Sequence, residues 1–233
     1  TFNTFMTHIT ELKMRAYEQK LEKQQTQLQY LRLQLRPHFF LNSLKSIYAL
    51  AQRNEMRSIQ DYVLCLSEHY RFLIYDTENT IELRDELAHT QNYIQLQRIG
   101  YNLEINCQVQ ISSGTAQIKV PALILQTFVE NSIKYAVMPD QTLQIQISVQ
   151  IHEIDEQNFL NLTVNDNGPG YSKTILDEIA DNEETFYLHH KGLGNLMRRL
   201  KLIYSGDASF YIYNLPAKGA AVDILLPIKS QEG

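Results

Sequence analysis

Leu143-Gln144-Ile145-Gln146-Ile147-Ser148-Val149-Gln150-Ile151 alternates apolar and polar side chains from end to end. A period of two belongs to a strand with one face buried and the other wet. Upstream, Leu103, Ile105, Cys107, Val109 and Ile111 alternate in the same way, and 159–164, 209–213 and 221–226 read as three further strands. Helical stretches fall between them, near 121–137, 172–179 and 193–204. One sheet with helices on one face is the economical architecture for this order, a two-layer α/β sandwich. A helix over about 84–99 leads to Gly100, where the helical period gives way to the strand period.

Ahead of that break the pattern is helical. Met14, Leu21, Leu28 and Leu35 recur every seven residues, with Tyr17 and Leu31 on accompanying positions, in a Leu-, Gln-, Lys- and Glu-rich stretch from 11 to 36. This is the seam of a dimeric coiled coil; a solvated helix with one apolar stripe is the other reading, since Gln24 spoils one seam position. Pro37 interrupts the pattern by removing a backbone donor and crowding the preceding turn. His38 follows at once, where the uninterrupted heptad would bury it, so a kink at Pro37 would turn the imidazole outward. Leu41, Leu44, Ile47 and Ala51 then resume a helical stripe, Arg53-Asn54-Glu55 reads as a turn, and Ile59, Val63, Leu66, Tyr70 and Leu73 mark a second helix. Two such hairpins, one per subunit, make a four-helix bundle. The expected fold class is α+β: a coiled coil over 1–36, a helical dimerisation hairpin over 37–80, and the α/β sandwich over 81–233.

Composition excludes several classes. The 233 residues carry a formal net charge of -5, and the 21 Lys and Arg form no long run, which argues against a nucleic-acid surface. Cys65 and Cys107 lack metal-ligand spacing and read as packed, reduced thiols. No window approaches the roughly 18 to 20 apolar residues of a membrane span, and no secretory leader opens the chain. The start at Thr1, directly before a helical pattern, predicts a piece of a longer protein. His69, His89, His152 and His189 have no partners at useful spacing and are expected at the surface.

Three clusters in the rear half carry chemistry. Glu130-Asn131-Ser132-Ile133-Lys134-Tyr135 sits on a helix held to the sheet by Leu123, Ile124, Phe128 and Ile133. Asn131 offers a neutral oxygen to a hard cation such as Mg²⁺, and Lys134, one turn along, can meet a phosphate. A solvated helix face would look similar. Asp166-Asn167-Gly168-Pro169-Gly170 follows a strand, where glycines allow close approach and an ionised Asp accepts from an exocyclic amine such as adenine N6; a tight turn is the plainer reading. His190-Lys191-Gly192-Leu193-Gly194-Asn195 opens a helix bearing Arg198, Arg199 and Lys201, an arrangement suited to anions.

Taken in order, these clusters resemble the N, G1 and G2 boxes of the GHKL ATPase superfamily, which includes histidine kinases, Hsp90, gyrase B and MutL. Leu33-Gln34-Leu35-Arg36-Pro37-His38-Phe39-Phe40-Leu41-Asn42-Ser43-Leu44 resembles the phosphoacceptor segment of LytS/YesM-like sensor histidine kinases, and Val120-Pro121-Ala122-Leu123-Ile124-Leu125-Gln126 resembles the same class ahead of its N box. The resemblance implies ATP and Mg²⁺ as cofactors, His38 as phosphoacceptor, Asn131 as Mg²⁺ ligand and Asp166 as adenine contact. It also implies Gly168, Gly170, Gly192 and Gly194 around the nucleotide and Lys134 on a phosphate. Glu130 assists at the metal or forms a surface salt bridge; Asn42 orients the imidazole, positions water for a phosphatase reaction, or only stabilises its helix. A homodimer, the receiver domain of a response regulator as partner, and a cytoplasmic location beneath a bacterial membrane anchor are implied as well. Two positions depart from the pattern: His190 stands at the first glycine of the G2 box, and Thr127 stands where hydrolytic members carry a Glu. A GHKL ATPase or serine kinase, and a degenerate kinase serving as a dimeric scaffold, are the alternatives.

Overall fold

The computed structural model describes residues 13, 37–75, 79–181 and 190–228. The expected coiled coil at 11–36 (apart from residue 13), most of the 76–80 stretch where a flexible joint between the helical and α/β parts is expected, His189 and the His38 imidazole lie outside the described residues. The chain divides into two compact units, Thr1–Phe39 and Phe40–Gly233, and nearly all described residues belong to the second.

Helix α1 (Pro37–Gln52) opens on the proline, which suits a first turn because its missing N–H has no partner there anyway. It ends at the expected turn, where Asn54 takes a positive φ of 57° and its N–H donates to Ala51 O. Helix α2 (Met56–Tyr75) returns. Its buried face is Tyr62, His69 and Leu73, while Val63 and Leu64 stay exposed. Strand β1 (Thr80–Glu82) leads into α3 (Leu83–Tyr101), which packs on α2. Gly100 makes that packing close: a Cβ there would lie 2.8 Å from the Tyr62 ring and 3.0 Å from Ser46 Oγ.

The expectation that His69 and His89 lie at the surface is corrected. They are 2% and 5% exposed, and their rings stack at 4.7 Å between α2 and α3, with Phe72 on the far side of His89 at 3.8 Å. Both positions point into the helix contact, where an imidazole's flat apolar face packs well. His152 is exposed, as expected.

The sheet is five-stranded in the order β2-β4-β5-β7-β6. It comprises β2 (Ile105–Ile111), β4 (Leu143–Ile154), β5 (Gln157–Asp166), β6 (Ser209–Asn214) and β7 (Ala220–Pro227). A short strand, β3 (Lys119–Pro121), pairs antiparallel with β1 in a second, two-stranded sheet that the periodicity does not anticipate. Strands β2 and β4 run parallel and the other pairs antiparallel. Register places Val109, Ile147, Val164, Val222 and Ile212 in one row across the sheet. Ile147, Val164 and Val222 in that row are buried, and α4 (Ile124–Ala136) packs on β4 and β5. Two further helices are α5 (Lys173–Asp181) and α6 (Lys191–Tyr204), the latter packed on α4.

Candidate functional site

Strand β5 delivers Asp166 to the end of the sheet beside α4. The Ser132 hydroxyl donates to Asp166 Oδ2 at 2.7 Å, and the backbone N–H groups of Gly168 and Ala220 donate to Oδ1 at 2.9 and 3.3 Å. The carboxylate is thereby fixed against the helix that carries Asn131. Gly168 has a steric reason: a Cβ there would collide with Ala136 at the end of α4. Asn167 lengthens the sheet, with its amide paired to Gln144 N and Thr142 O. Gly170 takes a φ of +85° and lies against the Asn214 amide, which bonds both Tyr171 N and Tyr171 O. Tyr171 is drawn in beside Asp166, and burial together with that carboxylate pushes its phenol well above the usual range.

Asn131 is half-buried one residue before Ser132, and its Nδ2 is buried without a hydrogen-bond partner. An unmatched buried amide is costly, and a polar ligand would relieve it. Lys134 is exposed, with its ammonium 4.8 Å from the centre of the Tyr135 ring, and Glu130 is exposed on the same helix. The structure therefore joins Asn131 to the Asp166 turn and leaves Lys134 facing outward. Thr127 turns its hydroxyl into its own helix, donating to Leu123 O at 2.6 Å.

Helix α6 packs on α4 and begins at the glycine-containing turn. Gly194 N donates to His190 O at 2.7 Å, and Gly192 has open space where a Cβ would stand. His190 Nε2 lies 2.9 Å from Glu178 Oε2 of α5, so the residue replacing the expected glycine ties this turn to α5. Asn42 is half-buried on α1.

Sequence reasoning missed Ser132 and Glu86, and it counted Arg199 among cations suited to an anion, whereas that side chain is buried and spent on a backbone carbonyl. Ser132 was quoted as part of its cluster without a role, and the hydrogen bond to Asp166 supplies one. Glu86 of α3 is fully buried, and its carboxylate accepts from Leu123 N, Leu125 N and Gln126 N at 2.7, 2.9 and 3.3 Å. Arg199 of α6 donates to Ala122 O at 2.5 Å. Burial pushes the Glu86 carboxyl up to about 7, against the pull of those N–H groups and Arg199.

The donor set fits Mg²⁺ and a nucleotide. Asn131 brings a hard amide oxygen suited to the cation and an unpartnered Nδ2 that an acceptor such as a phosphate oxygen would satisfy, Asp166 is a fixed acceptor, and Gly192 leaves backbone room.

Residues 26–105 match a family described as Histidine kinase, and residues 117–230 match one described as Histidine kinase-, DNA gyrase B-, and HSP90-like ATPase. The sensor histidine kinase YesM of Bacillus subtilis is 26% identical over 99% of this chain and 38% of its own length. The sensor protein LytS of Enterococcus faecalis is 27% identical over 98% of this chain and 38% of its own. The chain thus spans well under half the length of these relatives. Among solved structures, the histidine kinase domain of the Erythrobacter litoralis blue-light activated histidine kinase EL346 aligns at 16% identity over 89% of this chain and 96% of that one, with a TM-score of 0.46.

Proposed function

This chain belongs to the sensor histidine kinase family, and on that premise we propose that it transfers the γ-phosphoryl group of ATP to its own His38. The observation that carries the nucleotide half of this reading is the Ser132–Asp166 hydrogen bond, which locks the Asp166-Asn167-Gly168 turn against the Asn131 helix. Asp166 would accept from the adenine amine with a lone pair left over from its three protein donors. Asn131 would hold Mg²⁺, which neutralises charge on the phosphate oxygens. Gly192 leaves the start of α6 open to a phosphate at a helix N-terminus.

His38 needs no strong base. A neutral imidazole is already a competent nucleophile and carries no proton on its attacking nitrogen. Transfer rests on bringing that ring to the γ-phosphate in the right orientation. Thr127 brings no carboxylate to activate water, and its hydroxyl is committed to Leu123 O, which supports slow net hydrolysis. The phosphoryl group would pass next to an aspartate in the receiver domain of a response regulator. The chain would act as a homodimer on the cytoplasmic side of a membrane-anchored protein; no described helix is long and apolar enough to cross a membrane.

The test is incubation with radiolabelled ATP and Mg²⁺, comparing the native chain with His38→Gln. Acid-labile, base-stable phosphate on the native chain, absent from the variant, is the expected result. Label that survives in His38→Gln would move the acceptor elsewhere. ATP binding without any label would point instead to an ATPase clamp or a scaffold.

A further inference from the structure

Helix α4 has no cap of its own. The residue before it, Leu123, adopts a left-handed conformation (φ 65°, ψ 19°) and offers no side-chain hydrogen bond to the first turn. Such a backbone is rare for a branched, bulky residue and persists only where its surroundings enforce it. Here they do so from two sides. The Glu86 carboxylate, reaching over from α3, takes the N–H groups of Leu123, Leu125 and Gln126, while Arg199 of α6 takes the carbonyl of Ala122. A carboxylate at a helix N-terminus is also favoured by the helix dipole. Asn131 lies two turns further along the same helix, and Ser132 beside it holds Asp166.

Helix α3 itself is bolted to the helical hairpin. Asn92 donates to Cys65 O at 2.8 Å, His89 stacks on His69, and Gly100 is pressed against Tyr62 and Ser46. One side chain of α3 thus reaches from a helix anchored on the hairpin to the first turn of the nucleotide helix. We propose that Glu86 is a positioning residue for nucleotide binding: its carboxylate sets the start of α4 from α3, and so sets where Asn131 and the Ser132–Asp166 pair stand. This inference rests on the nucleotide reading of that site.

The capping contacts call for an acceptor at this place, but a carboxylate is a costly one. Burying a carboxylate is unfavourable, and the raised titration of Glu86 shows that its surroundings favour the neutral form over the ionised one, compared with water. The charged group that faces it among the described residues is Arg199; its other partners are backbone N–H groups. Protonation would turn one oxygen into a donor facing N–H groups and loosen the turn. Nucleotide affinity carried by the ionised form therefore rises with pH through about 7, whereas stability moves the other way.

The experiment compares the full 233-residue chain with Glu86→Gln and Glu86→Asp by three readouts. These are melting temperature, amide exchange of the first turn of α4 without nucleotide, and calorimetric Mg-ATP affinity between pH 6 and 8, all well below the melting point. For Glu86→Gln we expect a melting temperature at pH 8 no lower than native, faster exchange at Leu125 and Gln126, roughly tenfold weaker Mg-ATP binding at pH 8, and loss of most of the pH dependence. Glu86→Asp keeps the charge and serves if the Gln variant fails to fold; intermediate affinity with native pH dependence is expected. A native chain that binds no Mg-ATP overturns this proposal together with the nucleotide reading. A native chain that binds it, beside a folded Glu86 variant that binds equally well, overturns the positioning role alone.

Discussion

Asp166 and Asn131, the proposed adenine and Mg²⁺ contacts, stand in opposite hydrogen-bonding situations. Asp166 is over-provided with donors: one hydroxyl and two backbone N–H groups converge on it. In Asp166→Asn an amide nitrogen would replace one of the two accepting oxygens. ATP affinity should fall by about 1 to 3 kcal/mol, the cost of unmaking a buried charge-assisted bond. Titration calorimetry checks this, and unchanged affinity would place the adenine elsewhere. Asn131 is the opposite case, a buried amide nitrogen with no partner in the protein. Removing it should spare the apo protein: Asn131→Ala is expected to melt at or slightly above the native temperature while losing Mg-ATP binding. A large drop in melting temperature would mean that Asn131 supports the fold instead. Gly168 is a matter of space, since a methyl group would collide with Ala136. Gly168→Ala should therefore destabilise by about 1 to 3 kcal/mol, measurable by urea denaturation.

At the scale of elements, the link between α3 and α4 makes a pH-dependent statement. The Glu86 carboxyl titrates at about 7 in the folded chain, above its unfolded value of 4.5, so the folded state binds the proton more tightly. Its contribution to stability is fully present below the unfolded value and is lost as pH rises through the folded one. Melting temperature should thus fall between about pH 5 and 8 in the native chain, with a shallower fall in Glu86→Gln; identical slopes would show that Glu86 does not titrate there. That device is illegible in the sequence, because Glu86 in Leu83-Arg84-Asp85-Glu86-Leu87 looks like one more charge on a solvated helix. The strands were legible because a period of two, as in Leu143 to Ile151, survives any tertiary arrangement. Helix faces were less so. Ile59, Val63, Leu66, Tyr70 and Leu73 read as the apolar stripe of α2, yet of these the chain buries Leu73 and leaves Val63 exposed, and Tyr62 and His69 face inward with Leu73, since two stripes compete on one helix and only the fold decides between them. Strands β1 and β3 are too short to show a period. The Asp166-Asn167-Gly168 turn was legible as a motif, but its tie to Ser132 depends on how the sheet and α4 pack.

For the whole molecule, the losing stripe matters. Phe40, Leu41, Leu44 and Tyr48 of α1 are 47% to 65% exposed, and so are Val63 and Leu64 of α2, at 41% and 66%. Large apolar side chains left exposed on both helices of a hairpin lose free energy in water, and a second hairpin is the natural cover. The inward-facing positions of α1 are instead the small polar Ser43 and Ser46 with Leu50, which let α1 approach its own chain closely. A monomer would leave its greasier face wet, so the chain should sediment as a dimer at micromolar concentration. Introducing two charges with Leu41→Asp and Leu44→Asp should shift it to monomer in analytical ultracentrifugation. Both positions lie on α1, whereas Asp166, Ser132 and Asn131 come from β5 and α4 of a single chain. Mg-ATP affinity should therefore survive the double substitution even as the dimer is lost. A native chain that sediments as a monomer would leave the exposed stripe without its proposed cover, and a double variant that loses ATP binding along with the dimer would show that the nucleotide residues depend on the partner.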